Sequence, residues 1–322
     1  MRCDLVVVGD CNPDVLVLDD DVIPQFGQQE KLVDRISLLI GGSAAITAVA
    51  AARLGLRVAL VAAVGDDPAG NFMLSQLAAE CVDVTAVAVR ASLPTGMTVA
   101  LSRGEDRAIL TATGAVASLT AQDIPEGLIA GARHLHVSSY FLIAESLGPG
   151  LAALLAQARA AGVTTSIDTN WDPAETWGGD QLRAVLAQAD LLLPNEAEAI
   201  RITGEDTLKA AVATMTDPAG TMTASGSRLV VKRGSRGALC VESEGARRHS
   251  VRLPPVTPVD TTGAGDCFNA GLITGLLRGL DLPQAAALGC AVGAASTQAL
   301  GGTGSAPDLA TALSLAETAV IG

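Results

Sequence analysis

Aromatic side chains are nearly missing from this chain. Four Phe, two Trp and one Tyr account for only 2% of 322 residues. Single-stranded nucleic-acid binding of the base-stacking kind has nothing to build on here. Positive charge is scarce too: 21 Lys and Arg face 34 Asp and Glu, a net charge of −13. That balance opposes affinity for DNA or RNA, which rests on excess basic residues. No apolar run reaches membrane-spanning length, because Arg53 and Arg57 interrupt the best stretch and Gln284 and Gln298 bracket the next. No signal peptide is read either, since the apolar run Leu5–Val8 meets Gly9 and Asp10. The six cysteines form no C-x-x-C pair and read as reduced, mostly buried thiols of a cytoplasmic protein. Zinc-ligand clusters are absent, and His134 and His136, alternating on one predicted strand, read as structural. Neither G-x-x-x-x-G-K-[ST] nor a G-x-G-x-x-G after the first strand occurs, so neither a P-loop nor a dinucleotide fold is supported.

What is present is 49% hydrophobic residue, chiefly Ala, Val and Leu, enough for a full core. Short β-branched runs alternate with Ala/Leu-rich helical ones. Strands are predicted at Leu5–Val8, Val58–Ala63, His134–Val137, Val163–Ile167, Leu191–Leu193 and Leu229–Lys232. Helices are predicted at Ser43–Leu54, Pro68–Glu80, Pro149–Ala161, Gln181–Gln188, Glu196–Ile202, Ala270–Arg278 and Pro283–Ala299. This rhythm predicts an α/β fold with a mostly parallel sheet covered on both faces. Val15–Ile40 and Thr95–Thr111 break it as extended segments of alternating polarity. The second carries a hairpin signal around Ser102–Asp106, so a small antiparallel sheet is expected to stand off the main body.

The most informative stretch is Asp260-Thr261-Thr262-Gly263-Ala264-Gly265-Asp266. It follows a Pro-rich loop and feeds an apolar helix. Gly263, Ala264 and Gly265 leave backbone N–H groups uncovered at a helix N-terminus, where the dipole favours an anion. Asp266 at its edge could take a proton from an attacking hydroxyl, the division of labour that phosphoryl transfer needs. Taken alone, a Gly-rich turn with an Asp in a first helical turn is as well explained by structure.

The longer string closely resembles the C-terminal signature of the ribokinase-like (PfkB) carbohydrate kinases. Gly41-Gly42-Ser43-Ala44-Ala45, running to Gly55, resembles the family's N-terminal signature, and Val64–Gly70 continues it. The resemblance spans nearly the whole chain and implies one α/β/α kinase domain over 1–322. A β-sheet lid, formed by segments at about 14–40 and 95–113, would carry the contact of a homodimer. It implies ATP-dependent phosphorylation of a sugar-like acceptor, with Asp266 as base and Gly263, Ala264 and Gly265 as anion hole. Asn195 and Glu198 match the family's Asn-x-x-Glu motif and would orient water around Mg²⁺, a hard cation that keeps several waters. The matching turn beside the ATP phosphates and ribose gives Lys232, Gly234, Arg236 and Gly237 as nucleotide contacts, with Thr262 nearby and Ala291–Gln298 flanking the adenine. Asp260 and Thr262 match one side of a monovalent cation site for K⁺. On their own, the 232–237 turn reads as a β-turn with solvated charges, and Asn195–Glu198 as a helix start.

On the acceptor side, Asn12-Pro13-Asp14 fits the family's N-x-D pattern, in which the aspartate binds sugar. Asp10 and Asp14, at the end of the first strand, could each bind vicinal hydroxyls. Gly41, Gly42 and Ser43 would approach the sugar by backbone. The chain departs from true ribokinases at Ser43, where they carry Lys, and at Ile46, where many members carry Asn. Asp168 and Asn170 resemble the D-x-N stretch of fructokinase-like members, with Trp171 placed to stack on a sugar; an Asx-turn network with a packed Trp is the equal alternative. A nucleoside kinase on the same scaffold and a non-catalytic sugar-binding regulator are the competing functions.

Overall fold

The computed structural model describes residues 3–103, 106–217, 222, 226–242 and 247–322. The strands in chain order are β1 (Leu5–Val8), β2 (Asn12–Leu18), β3 (Arg35–Gly41), β4 (Val58–Gly65), β5 (Val87–Arg90), β6 (Met97–Arg103) and β7 (Asp106–Ala112). They continue with β8 (His134–Val137), β9 (Thr164–Ile167), β10 (Leu191–Leu192), β11 (Arg228–Lys232), β12 (Ala238–Val241), β13 (Arg248–Arg252) and β14 (Val320–Ile321). The helices are α1 (Ser43–Arg53), α2 (Pro68–Ala79), α3 (Tyr140–Ile143), α4 (Gly148–Ala160), α5 (Asp180–Leu186), α6 (Glu196–Thr203), α7 (Leu208–Met215), α8 (Ala264–Leu277), α9 (Leu282–Ser296) and α10 (Leu309–Ala316).

A ten-stranded sheet runs β14-β13-β12-β11-β10-β9-β8-β1-β4-β5. From β5 to β11 every pairing is parallel, and β12, β13 and β14 extend that edge antiparallel. β1 and β4 are apolar at every position because helices cover both sides. Alternation decides which side each residue serves. Val6, Val8, Ala59 and Val61 join one core with Leu151, Leu155, Val185 and Val212. Leu5, Val7, Val58 and Leu60 join the other with Val49, Met73, Ile273 and Val292. With few aromatics, α8 and α9 fill space by close approach instead. A β-carbon on Gly271 would stand 2.8 Å from the Leu288 carbonyl oxygen, so the helices meet backbone to backbone.

β3, β2, β6 and β7 form a separate four-stranded sheet. Its outer pairs are antiparallel as expected, but β2 and β6, far apart in sequence, pair parallel. The tip residues Gly104 and Glu105 of the predicted hairpin lie outside the described residues. Helix α8 begins at Ala264, six residues before the predicted start, because Gly263 in left-handed conformation (φ 69°) admits the chain straight into the helix.

His134 and His136 sit in β8 as a buried polar ladder. Thr164 Oγ1, His134, Ser166 Oγ, His136 and Ser138 Oγ are joined by contacts of 2.7–2.9 Å, which satisfy both imidazoles without a metal. Among the described residues no group of three His, Cys, Asp or Glu is placed to hold a metal ion. Burial drives both imidazoles from the ordinary 6.5 down to about 3, assisted by their mutual repulsion at His134 and by Lys232 at His136. Below the ordinary value the unfolded chain takes up protons that the folded chain refuses, so stability falls with pH through this window. Each histidine contributes a loss of up to about 1.4 kcal/mol per pH unit. Urea unfolding between about pH 7 and pH 5 is expected to show this slope, and a His134→Gln/His136→Gln variant to flatten it. An unchanged slope in the variant removes the pair as its source.

Candidate active site

The site lies where β1, β9 and β11 end and α1 and α8 begin. Asp260 clamps the approach to α8. Thr262 donates to its Oδ1 from the backbone N–H at 2.9 Å and from Oγ1 at 2.7 Å, and the Gly301 N–H donates to Oδ2 at 2.8 Å. Gly263 occupies the cap position of α8 and no side chain caps the helix. The Ala264 N–H makes a 3.3 Å turn bond to the Thr261 carbonyl; the Gly263 and Gly265 amides are turned to no side-chain cap, where the helix dipole favours an anion. Asp266 follows in that first turn, 7% exposed. Burial first, then the carboxylates of Asp168 and Asp10, hold its carboxyl well above the usual range, opposed by Lys232 and a hydrogen bond with Ser43.

Lys232, at the end of β11, is the cation at the centre of these carboxylates. Its ammonium contacts Asp168 Oδ2, which also accepts from Asn269 Nδ2 at 2.6 Å. Burial works against the lysine's charge, but Asp168, Glu198 and Asp266 outweigh it and raise its pKa. A parallel bridge sets Asn195 beside Lys232. Asn195 and Glu198 close a reciprocal capping box on α6. Asn195 donates to Glu198 from its backbone N–H at 2.7 Å and from Nδ2 at 2.6 Å, and the Glu198 N–H donates to Asn195 Oδ1 at 2.9 Å. Burial, with Asp168 adding to it, pushes Glu198 up to about 7.

On the opposite wall, Asp10 accepts the first amides of α1, from Ser43 at 3.0 Å and Ala44 at 2.9 Å. This corrects the expectation that Asp10 binds acceptor hydroxyls: both carboxylate oxygens are committed to capping and the residue is buried. Asn12 donates to Asp14 Oδ1 at 3.3 Å and to Thr98 Oγ1 at 3.1 Å, joining β2 to β6. A β-carbon on Gly41 would fall inside the Asp14 carboxylate, so only glycine lets the two strands present that aspartate. Asn170 accepts from the Ser139 N–H at 2.8 Å and donates to Ser43 Oγ at 3.0 Å. Through Ser43 the acceptor wall thus reaches Asp266.

Asp266, Lys232, Asp168, Asn195, Glu198, Ser43 and Asn170 therefore stand near one another at the carboxyl edge of the sheet, with different duties for some. Asp168 was expected on the acceptor wall. It is fully buried and engaged by Lys232 and Asn269, which puts it beneath the surface. Asp172 accepts from Ala174, Thr176 and Trp177, and Trp177 packs against Trp171. The Asx-turn alternative therefore describes Asp172 to Trp177, whereas Trp171 remains 49% exposed next to Asn170. Gly234, Ser235 and Arg236 are exposed, and Arg236 pairs with Glu196, which the sequence left idle. Ala291 and Val292, expected along the adenine, are buried in the packing of α9, which leaves Gln298 as the exposed end of that stretch. Asn269, one helical turn beyond Asp266, was missed: nothing in its spacing points to a residue 101 positions away. With Asn195 and Glu198 committed to each other and no carboxylate cage among the described residues, the side chains fit a divalent ion held by a nucleotide and water rather than by protein alone.

Residues 3–309 match the pfkB family of carbohydrate kinases. A fructokinase of Klebsiella pneumoniae is 33% identical over 274 residues, 82% of this chain and 85% of that protein. A cytidine kinase of Thermococcus kodakarensis is 28% identical over 293 residues, 89% and 93% of the two chains. The solved fructokinase of Vibrio cholerae O395, with fructose, ADP and calcium bound, superposes with a TM-score of 0.78 at 27% identity, covering 98% of this chain and 99% of that one.

Proposed function

The chain belongs to the pfkB family of carbohydrate kinases and phosphorylates a hydroxyl of a sugar-like substrate with ATP; from that premise we propose which of its residues perform the transfer. The acceptor lies against Asp14, Asn12, Gly41, Gly42, Ser43 and Asn170, with Trp171 along one face. Its hydroxyl oxygen attacks the γ-phosphorus of ATP, the bond to the β,γ-bridging oxygen breaks, and ADP leaves. Asp266 takes the hydroxyl proton and later releases it to solvent. The amides of Gly263, Ala264 and Gly265 hold the negative charge on the moving group. Gly234, Arg236 and Gly237 line the nucleotide. Asn195 and Glu198 would hold, through water, a Mg²⁺ that arrives with the nucleotide, and the ion would supply charge stabilisation for the leaving group. The observation that carries this reading is the buried Asp266 in the first turn of the helix that no side chain caps, close to Lys232 and to the Ser43 that Asn170 binds at 3.0 Å.

The four-stranded sheet serves as the lid. On one face it exposes Ile36, Leu38 and Leu110, an apolar surface on which we place the homodimer contact; a monomeric mass in solution would exclude it. Potassium is assigned beside Asp260 and Thr262, with carbonyls of the 294–303 segment opposite. Turnover is expected to be higher in potassium than in sodium buffer, and equal rates would remove the ion from the scheme. The decisive assay couples ADP release to a panel of ketoses, aldoses, sugar acids, polyols and nucleosides. A sugar or polyol as best acceptor supports the reading. A nucleoside as best acceptor replaces it with the second function, which the exposed Trp171 could serve by stacking on a base. Ligand binding without ADP release would leave a sugar-binding regulator.

A further inference from the structure

Lys232 is more than a lining residue of the nucleotide turn. Its side chain is 12% exposed, and its ammonium faces the first turn of α8. A β-carbon on Gly265 would stand 3.5 Å from Lys232 Nζ and within 3.9 Å of the methylenes beneath it. The ammonium therefore lies against the middle of the backbone nest. Asp168 holds it there through Oδ2, and Asn269 Nδ2 donates to that same oxygen at 2.6 Å. Asn269 is itself fully buried, and its Oδ1 has no partner. An ammonium has three donors, and Asp168 draws one, which leaves donors for an oxygen arriving beside Gly265.

Resting on the kinase reading above, we propose that Lys232 is the charged member of the anion hole: it binds an equatorial oxygen of the transferring γ-phosphoryl group, and Asp168 and Asn269 are the positioning residues that aim it. The step balances as before. Lys232 neither gives nor takes a proton; it remains an ammonium while the phosphorus exchanges one oxygen partner for another. Backbone amides alone supply partial charges. The lysine adds a full one in a buried setting, where it gains most as charge builds on the equatorial oxygens. Asp168 thereby acts through Lys232 and not on the acceptor.

The test separates the γ-phosphoryl site from the rest of the nucleotide. Calorimetry measures MgADP binding with and without tetrafluoroaluminate, a mimic of the moving phosphoryl group that needs neither acceptor nor base. In Lys232→Met, MgADP affinity is expected to stay within about threefold of wild type. The extra affinity conferred by tetrafluoroaluminate is expected to fall by at least about tenfold, and turnover by about 10²–10³-fold. Because Lys232→Met leaves Asp168 buried and unpaired, the Lys232→Met/Asp168→Asn double variant is measured beside it and is expected to show the same pattern. Asp168→Asn alone keeps the ammonium but loosens its aim; its tetrafluoroaluminate gain is expected to fall by less than that of Lys232→Met. If the folded lysine variants keep the wild-type gain, or lose MgADP and MgADP–tetrafluoroaluminate affinity equally, the proposal is wrong. The base assignment fails separately, through an Asp266→Asn variant with normal turnover, and leaves this readout untouched.

Discussion

Asp266→Asn is expected to cut turnover by about 10²–10⁴-fold while MgATP affinity changes little, the range spanned by general-base removal. Asparagine matches the carboxylate in size, can still accept from Ser43, and removes only the capacity to take a proton. The effect should fall on kcat and kcat/KM together, since the proton moves only as the new bond forms. The raised pKa has a second consequence. The base must be ionised to work, so wild-type activity is expected to fall on the acid side at a pH well above the ordinary carboxylate range. Steady-state rates of both proteins across pH, with the acceptor found by the panel, measure both points. Near-normal turnover in the asparagine variant would remove Asp266 from the chemistry.

Gly263→Ala is expected to damage both stability and turnover. Residue 263 has φ 69°, and an added methyl group would stand 2.6 Å from Gly302 Cα and 3.0 Å from Ile46 Cγ2. The left-handed conformation costs a non-glycine residue about 1–2 kcal/mol, and the backbone contact adds to that. Relief requires the 301–302 turn to move away, and Asp260 ties that turn to the nest. We expect a loss of at least about 2 kcal/mol in urea unfolding and a fall in turnover of more than about 100-fold, comparable to losing a donor of an oxyanion hole. A variant with normal stability and rate would mean that the nest tolerates displacement and is not the grip on phosphate.

The parts of the fold visible in the sequence are those that local physics dictates. β1 and β4 read clearly because strands buried on both faces must be apolar throughout. Gly204 marked the end of α6 because it takes the left-handed cap conformation. β13 and β14 did not read. Arg248–Arg252 is mostly polar, Val320–Ile321 is two residues long, and both owe their strand form to pairing at the sheet edge. The early start of α8 was hidden because a glycine, not Ser or Asp, sits at its cap. In the site, the carboxylate and the glycines carried their own signal, but their partners did not. Lys232 meets Asp168 across 64 positions and Asp10 caps α1 across 33, and no spacing rule spans such distances. These pairs exist because parallel strands bring all their carboxyl ends to one edge.

The bond from Gly301 to Asp260 has a bearing on how the protein is made. A ribosome has released most of the sheet, both walls of the cleft and the proton acceptor well before residue 301 emerges. Until that late segment docks, the glycine turn is held only by its local bonds, from Thr262 to Asp260 and from Ala264 to Thr261. The full tethering of that turn is thus among the last things the nascent polypeptide acquires.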